Sequence, residues 1–487
     1  MLEVEMTNRE WATGVLAVFV AVSGGCGDEP GGAEPGSGVE IASVLGEAPH
    51  LCLDTDITRD GIGLSSTVSP NKLDLKADNP FFHDFGTNGR ACGTCHQEAF
   101  GWTITPGFAR SRTPSDPLFA FDGSDCLPPG VANDDPAANS TEMLSKALIR
   151  IDLGIPPTAD YVLVSAVDPL ACPTPPSAAD LRMYRRPLPS ANTAFVTTVM
   201  WDGRENVNPP NNTTALIVSD LAHQSNDATR IHAQGKADLS AADQSSVVTF
   251  ETGVFNAQER IGPVDLDARG GHGGPTFLYT DVLPGFFIGI NDVFSSSFSP
   301  TIFTLYAAWE PGGQRGAPGA AAAKIGRGEA LFNQRTFAID GVRGINSTDP
   351  DDGDPISGTF TGSCGTCHDT PNIGNHSVTL PIDIGITAAT PVGGLDVENL
   401  PTYTFQQMGT GKTITVTDPG RGLISGKFKD LGKTKGPNLR ALAARAPYFH
   451  NGSAKDLNAV VDFYDQRFHI GFTAAEKRDL VTFLNAL

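Results

Sequence analysis

Positive charge is scarce in this chain of 487 residues: 34 Lys and Arg stand against 55 Asp and Glu, a net charge of −21. That balance excludes duplex nucleic acid and anionic lipid as main partners, because both need a positive surface. Cysteine is scarce as well, and eight residues in such a length cannot build a disulfide scaffold. Long apolar runs are missing, since nothing reaches the roughly 20 residues of a membrane span. What is present is a globular composition, 40% hydrophobic and 18% charged, with 54 Gly and 36 Pro that predict long irregular connections.

One short apolar run, Ala12 to Val22, ends in Ser23-Gly24-Gly25-Cys26 and has the form of an export signal. The motif at Cys26 is similar to a bacterial lipoprotein cleavage site, with Ser23 where Leu is usual, so lipidation of Cys26 and plain cleavage both stay open. Residues 1–26 are read as the leader and the Gly/Pro/Glu stretch within 27–50 as a flexible linker. The expectation is an exported bacterial protein, periplasmic or anchored on the outer membrane or extracellular side, touching a membrane only through a lipid.

Four of the eight cysteines fall in two identical pentads, Cys92-Gly93-Thr94-Cys95-His96 and Cys364-Gly365-Thr366-Cys367-His368. In C-x-x-C-H, two thiols about one helical turn apart add to the two vinyl groups of haem, and the next His is delivered beneath the iron. A thioredoxin-like redox pair or half of a zinc site would leave the His unexplained twice. Two covalently bound haem c groups are therefore expected. The pentads lie far apart, which divides the chain into an N-terminal haem domain over 51–315, with a Pro-rich insertion at about 103–185, and a C-terminal one over 316–487. The breaker Pro311 to Gly319 precedes a helical pattern over Ala321 to Phe332, and Leu457 to Tyr464 and Ala474 to Leu487 repeat apolar residues at helical spacing. The expected fold class is mainly α: two c-type cytochrome domains with long irregular loops and insertions.

The segment GPNLRALAARAPYFHNGSAKDLNAVVDFY (Gly436 to Tyr464), the terminal FTAAEKRDLVTFLNAL and NTAFVTTVMWDGRE (Asn192 to Glu205) lie around these pentads. Together they resemble the bacterial di-haem cytochrome c peroxidases and their MauG-like relatives. The resemblance implies a peroxidase-type oxidoreductase in which hydrogen peroxide reacts at the first haem, the second haem stores electrons, and Trp201 relays between them. It implies His96 and His368 as proximal ligands, and a small redox protein such as a cytochrome c, or a protein substrate, as the source of electrons. Two rivals stand beside it: a di-haem oxygenase using O2 on an apolar polymer, similar to the rubber oxygenases, and a plain electron-transfer cytochrome.

Three departures from that family carry information. Classical members close the first haem with a His from the following loop, but no His occurs between His96 and Trp201, so this haem should stay open unless Met143 or Met183 substitutes. The family Met, fourteen residues beyond the His of Y-F-H-x-G, is replaced by Tyr464, counted from His450. An oxygen donor favours ferric iron where a thioether favours ferrous. Met408 is the alternative axial ligand, and His469 a further one. At the family's calcium site Arg186 and Arg445 stand where Asn and Thr are usual, so no inter-haem calcium is expected. For the acid–base residue above the first haem, Gln224 matches the family Gln, and His232, Glu251 and Glu259 are candidates. His83, His223, His272 and His376 read as surface or capping residues. Cys126 with Cys172 is the expected disulfide.

Overall fold

The computed structural model describes residues 54–70, 78–120, 125–126, 134–170, 177–206, 214–310 and 319–487. The leader, Cys26, the 27–50 linker and Cys172 lie outside the described residues. Leu53–Leu487 forms one compact unit.

The strands are β1 (Asp54–Arg59), β2 (Gly63–Ser69), β3 (Ile149–Leu153), β4 (Tyr161–Val167), β5 (Leu181–Arg185), β6 (Phe255–Ile261), β7 (Val264–Asp265), β8 (Phe337–Ile339), β9 (Phe360–Gly362), β10 (Thr402–Gln407) and β11 (Thr413–Val416). They form antiparallel sheets in the orders β1-β2-β6-β7, β11-β10-β4, β3-β5 and β8-β9. The longer helices are α1 (Thr214–Ile231), α2 (Ala241–Gly253), α3 (Ala320–Gln334), α4 (Leu457–Phe468) and α5 (Ala474–Asn485).

The expectation of a mainly α fold is wrong: helices hold 32% and strands 17% of the described residues, which makes the fold mixed α/β. The reason lies in segments such as TYTFQQ and TITV, where β-branched and aromatic residues recur at every second position, the period of a half-buried strand. Their buried members Tyr403, Phe405 and Val416 seat one face of the sheet on Met183, Leu423 and Leu431. The Pro-rich insertion is likewise not merely irregular, since it supplies β3, β4 and β5. Through β4 it pairs with β10, which ties it to the C-terminal part of the chain.

The three expected C-terminal helices are present. Asp456 caps α4 by accepting from Ala459 N, and Thr473 with Glu476 closes a capping box on α5. Ile325 and Phe332 of α3 meet Leu480, Phe483 and Leu484 of α5 in the largest core cluster. Each such side chain contributes roughly 1.5–3 kcal/mol on burial. Arg327 of α3 bridges to Asp479 of α5 at 2.7 Å on the rim of this contact.

Candidate active site

Both pentads fold the same way, for reasons readable in their shared letters. Thr94 Oγ1 accepts from Ala91 N (3.0 Å), and Thr366 Oγ1 accepts from Ser363 N (3.0 Å), so the central Thr caps each short turn. The Gly leaves no room for a side chain: a Cβ on Gly93 would lie 2.6 Å from Phe82, and one on Gly365 2.7 Å from the Pro300 carbonyl. Each turn thus lies tight against the wall behind it and turns its two thiols toward the cavity ahead.

Cys92, Cys95 and His96 line one cavity; Cys364, Cys367 and His368 line a second. These donor sets fit haem c. His96 Nδ1 faces the Trp102 carbonyl at 3.1 Å and His368 Nδ1 faces the Gly374 carbonyl at 2.7 Å. A proton held on Nδ1 by a carbonyl leaves Nε2 as a lone-pair donor for iron. Burial lowers the affinity of both rings for a second proton, which keeps them in that neutral, ligating form. Burial also pushes the Cys92, Cys364 and Cys367 thiols up to about 12.

Tyr464 of α4 lines the second cavity, its ring centroid 6.3 Å from that of His368. Burial raises its phenol well above the usual range. Met408 follows β10 on the surface, 54% exposed, and lines neither cavity; His469 is the C-cap of α4 and lines neither. Met143 and Met183 are buried in separate clusters and neither lines the first cavity.

Arg186, Pro187, Pro189, Trp201 and Lys435 line both cavities. Trp201 is therefore part of the partition between them. Its indole Nε1 donates to the Arg186 carbonyl (2.8 Å), and its own carbonyl accepts from Lys435 N (2.9 Å). The Lys435 ammonium donates to the Thr198 carbonyl at 2.6 Å, and burial pushes its pKa down to about 7. Behind Trp201, the buried Arg185 guanidinium joins Asp202 (2.5 Å) to Asp418 (2.7 and 2.9 Å). Nothing in the sequence separated this Arg from its neighbours as the hub of an ion network, since its partners are 17 and 233 residues away.

Gln224, His232 and Glu251 all line the first cavity, whereas Glu259 lies on β6, where it accepts from Ser66 Oγ, and does not. Burial, reinforced by the charges of Arg90 and Arg204, pushes His232 down to about 3, so its imidazole is neutral. Burial alone pushes Glu251 up to about 8, and its Oε2 has no hydrogen-bond partner among the described residues. At neutral pH the His232 imidazole is free to accept a proton, whereas Glu251 mostly holds one already. His376 is not a surface residue: it is buried, lines the second cavity and faces the Leu380 carbonyl with Nδ1 at 2.6 Å. His83, exposed, lines the first.

The Arg186 guanidinium donates to the carbonyls of Lys146 (2.9 Å), Ile104 (2.7 Å) and Arg445 (3.0 Å). Carbonyl oxygens converging in this way are a cation's usual ligands, and here a fixed side-chain cation takes them. Burial and the neighbouring Arg445 charge push Arg186 down to about 9. Cys126 is disulfide-bonded, and its partner lies outside the described residues.

No family model matches the chain. Among curated proteins, a stretch is 42% identical over 78 residues to cytochrome-c peroxidase IdrP2 of Denitromonas iodatirespirans, covering 15% of this chain and 21% of that protein. Another comparison gives 38% over 81 residues with cytochrome-c peroxidase IdrP1 of Pseudomonas sp. (strain SCT), covering 14% and 21%. The chain is related to the di-haem cytochrome c peroxidase and MauG family. The match spans about one fifth of the length of these relatives. A solved structure titled as a MauG-like protein associated with microbial copper homeostasis aligns with 85% of this chain and 91% of its own, at 16% identity and a TM-score of 0.37.

Proposed function

We propose that this protein is an exported di-haem peroxidase-type oxidoreductase that takes hydrogen peroxide in the His96 cavity and passes oxidising equivalents through Trp201 to the His368 cavity. The observation that carries the reading is the pair of cavities, each lined by the thiols and imidazole of one pentad, with Trp201 in the wall they share. Cys92 and Cys95 would tether one haem c, and Cys364 and Cys367 the other, with His96 and His368 as proximal ligands. Bound there, haem iron supplies the redox chemistry that no side chain here can.

The chain's own residues supply the rest. His232, neutral in its buried site, would accept a proton from bound peroxide and pass it to the water that leaves, and Gln224 would orient the peroxide. Arg90 and Arg204, whose charges reach His232, favour the negative charge that develops in between. Glu251 stays protonated at neutral pH and is not the base. Trp201, its indole N–H held by the Arg186 carbonyl, is positioned to give up an electron without having to lose its proton first. Tyr464, which lines the same cavity as His368, would supply an oxygen donor that favours oxidised iron. Arg186 and Arg445 replace the inter-haem calcium. In this reading 51–315 is the catalytic part, 316–487 the electron-storing part, and a small redox protein or an oxidisable protein substrate restores the electrons. Among the described residues no helix is long and apolar enough to cross a membrane, in keeping with an exported protein.

Mixing the ferric protein with hydrogen peroxide tests this. The resting spectrum should contain one five-coordinate haem, and peroxide should produce a two-electron-oxidised species that Trp201→Phe slows or abolishes. Two six-coordinate haems with no reaction would mark a plain electron carrier. Cleavage of an apolar polymer with O2 and no peroxide would mark an oxygenase.

A further inference from the structure

A line of aromatic rings runs from His368 through residues that the peroxide reaction does not use. Phe332 lies 6.0 Å from the His368 ring, Phe483 lies 5.9 Å from Phe332, and Tyr306 lies 6.3 Å from Phe483. Tyr306 stacks on Trp309 with centroids 4.8 Å apart and planes at 28°. No ring-to-ring step exceeds 6.3 Å. We propose that the Tyr306–Trp309 pair is a second oxidisable relay, joining the C-terminal haem cavity to the surface turn at 267–271; the proposal rests on the peroxide reading above.

The two ends of the pair differ in a way that decides where an electron hole rests. The Tyr306 hydroxyl donates to the Ala486 carbonyl at 2.7 Å. A phenol radical cation is a far stronger acid than the phenol, and a backbone carbonyl can share its proton but not carry it away, so a hole on Tyr306 is short-lived and moves on. Tyr306 is therefore a stepping stone. Trp309 donates its indole N–H to the Arg269 carbonyl at 3.3 Å, and Arg269 is exposed, so the ring edge reaches the surface layer through one backbone group. An indole radical cation keeps its N–H, and this carbonyl stabilises the positive charge. Arg440, Glu329, Glu259 and Asp267 all lie close enough to act on Tyr306, and Glu310 follows Trp309 in the chain. The stack itself spreads the positive charge over two rings.

The step balances as a single electron transfer. Trp309 loses one electron and keeps its proton; the centre oxidised by peroxide in the His368 cavity gains that electron. A one-electron donor outside the protein then reduces Trp309. Without such a donor the hole stays on Trp309; when the second equivalent from peroxide removes a further electron, water adds to the indole with release of two protons, and Trp309 gains one oxygen.

The test treats the haem-loaded protein with a few equivalents of hydrogen peroxide in the absence of donor, follows the haem spectrum, and maps oxidised residues by peptide mass spectrometry. Trp309 should gain oxygen in more than half of the molecules, and far more often than Trp102, which is also buried but lies at the other cavity. Tyr306→Phe should reduce the Trp309 yield several-fold, and Trp309→Phe should lengthen the lifetime of the oxidised haem species without altering its formation. If the oxidised species forms and Trp309 is no more modified than Trp102, the relay is refuted while the peroxide reading stands. If no oxidised species forms at all, it is the peroxide reading that has failed. Unchanged far-UV circular dichroism in Tyr306→Phe separates a lost relay from a disturbed core.

Discussion

Arg185→Met is the substitution whose cost the structure specifies best. The guanidinium is buried and makes three charge-assisted bonds: Nε and a terminal nitrogen to the Asp418 carboxylate, and the other terminal nitrogen to Asp202. Met has similar reach and no charge, so both carboxylates would stay in place without their shared cation. Asp202 would keep Arg204 at 3.3 Å, while Asp418 would keep only the Gly420 N–H at 2.8 Å and His450 at 3.6 Å. Breaking a buried pair in this way costs roughly 3–5 kcal/mol, most of it the penalty of an uncompensated charge. The pH dependence follows from the same groups. Burial by itself would raise the Asp202 and Asp418 carboxyls, but the Arg185 charge overturns that and holds both below their ordinary value of 3.8. A depressed carboxylate stabilises the fold above its unfolded pKa, and that contribution disappears as pH falls through the folded one. The native protein should therefore lose this stability only below about pH 4. Arg185→Met should already be destabilised at pH 7, and should recover part of the loss as the solution is acidified toward pH 5 and Asp418 takes up a proton. Urea unfolding followed by circular dichroism from pH 5 to 8 measures both effects. Adding Asp418→Asn should return about half of the loss. A single-variant cost under about 1 kcal/mol, or costs that simply add in the double variant, would refute the claim that Arg185 is the hub of the network.

Further outcomes are expected from the cavities. His232→Phe should slow the reaction with peroxide by roughly 10²–10⁴ in stopped-flow absorbance, the usual contribution of a general base, whereas Glu251→Gln should change that rate little. Glu251 bears instead on stability: its carboxyl is raised from 4.5 to about 8, so folding takes up a proton between those values and native stability falls as pH rises through them. Each unit of that rise is worth roughly 1.4 kcal/mol, and Glu251→Gln should flatten the slope seen in denaturant titrations. Tyr464→Phe should alter the ferric electron paramagnetic resonance signal of the His368 haem, while Met408→Leu, on the surface, should leave it unchanged. Prolonged treatment with a calcium chelator should leave peroxide reactivity intact, whereas Arg186→Asn should impair it and calcium should then restore part of the loss.

The letters that announced chemistry were those whose spacing is local. C-x-x-C-H is complete within five residues, and Tyr464 was reached by counting fourteen residues from His450 in the motif of the family the chain resembles, so both could be named before any fold was known. Arg185 and Lys435 could not, because each acts through partners brought from distant segments: the Asp418 carboxylate and the Thr198 carbonyl. The fold class was misread for a related reason. The helical periods of Ala320–Gln334 and Leu457–Phe468 stand out because three to four turns repeat the pattern, whereas a strand of four to seven residues shows its alternation only two or three times and acquires its meaning from the strand beside it. For β4 that neighbour is β10, about 240 residues later. His376 shows the same limit from the other side. Without a motif around it, an isolated His reads as surface, and only the chain's return past the His368 turn buries it in a cavity wall. A pairing of this length also has a functional consequence. The insertion that β4 anchors carries Met183, Arg185 and Arg186 on or beside β5, so the strands that make the fold less helical than expected are the ones that hold the Arg residues behind and beside Trp201. The extra β structure thus belongs to the partition between the two cavities, and loosening the β4–β10 pairing, by Pro at Thr404 for example, should disturb transfer through Trp201 before it disturbs either pentad.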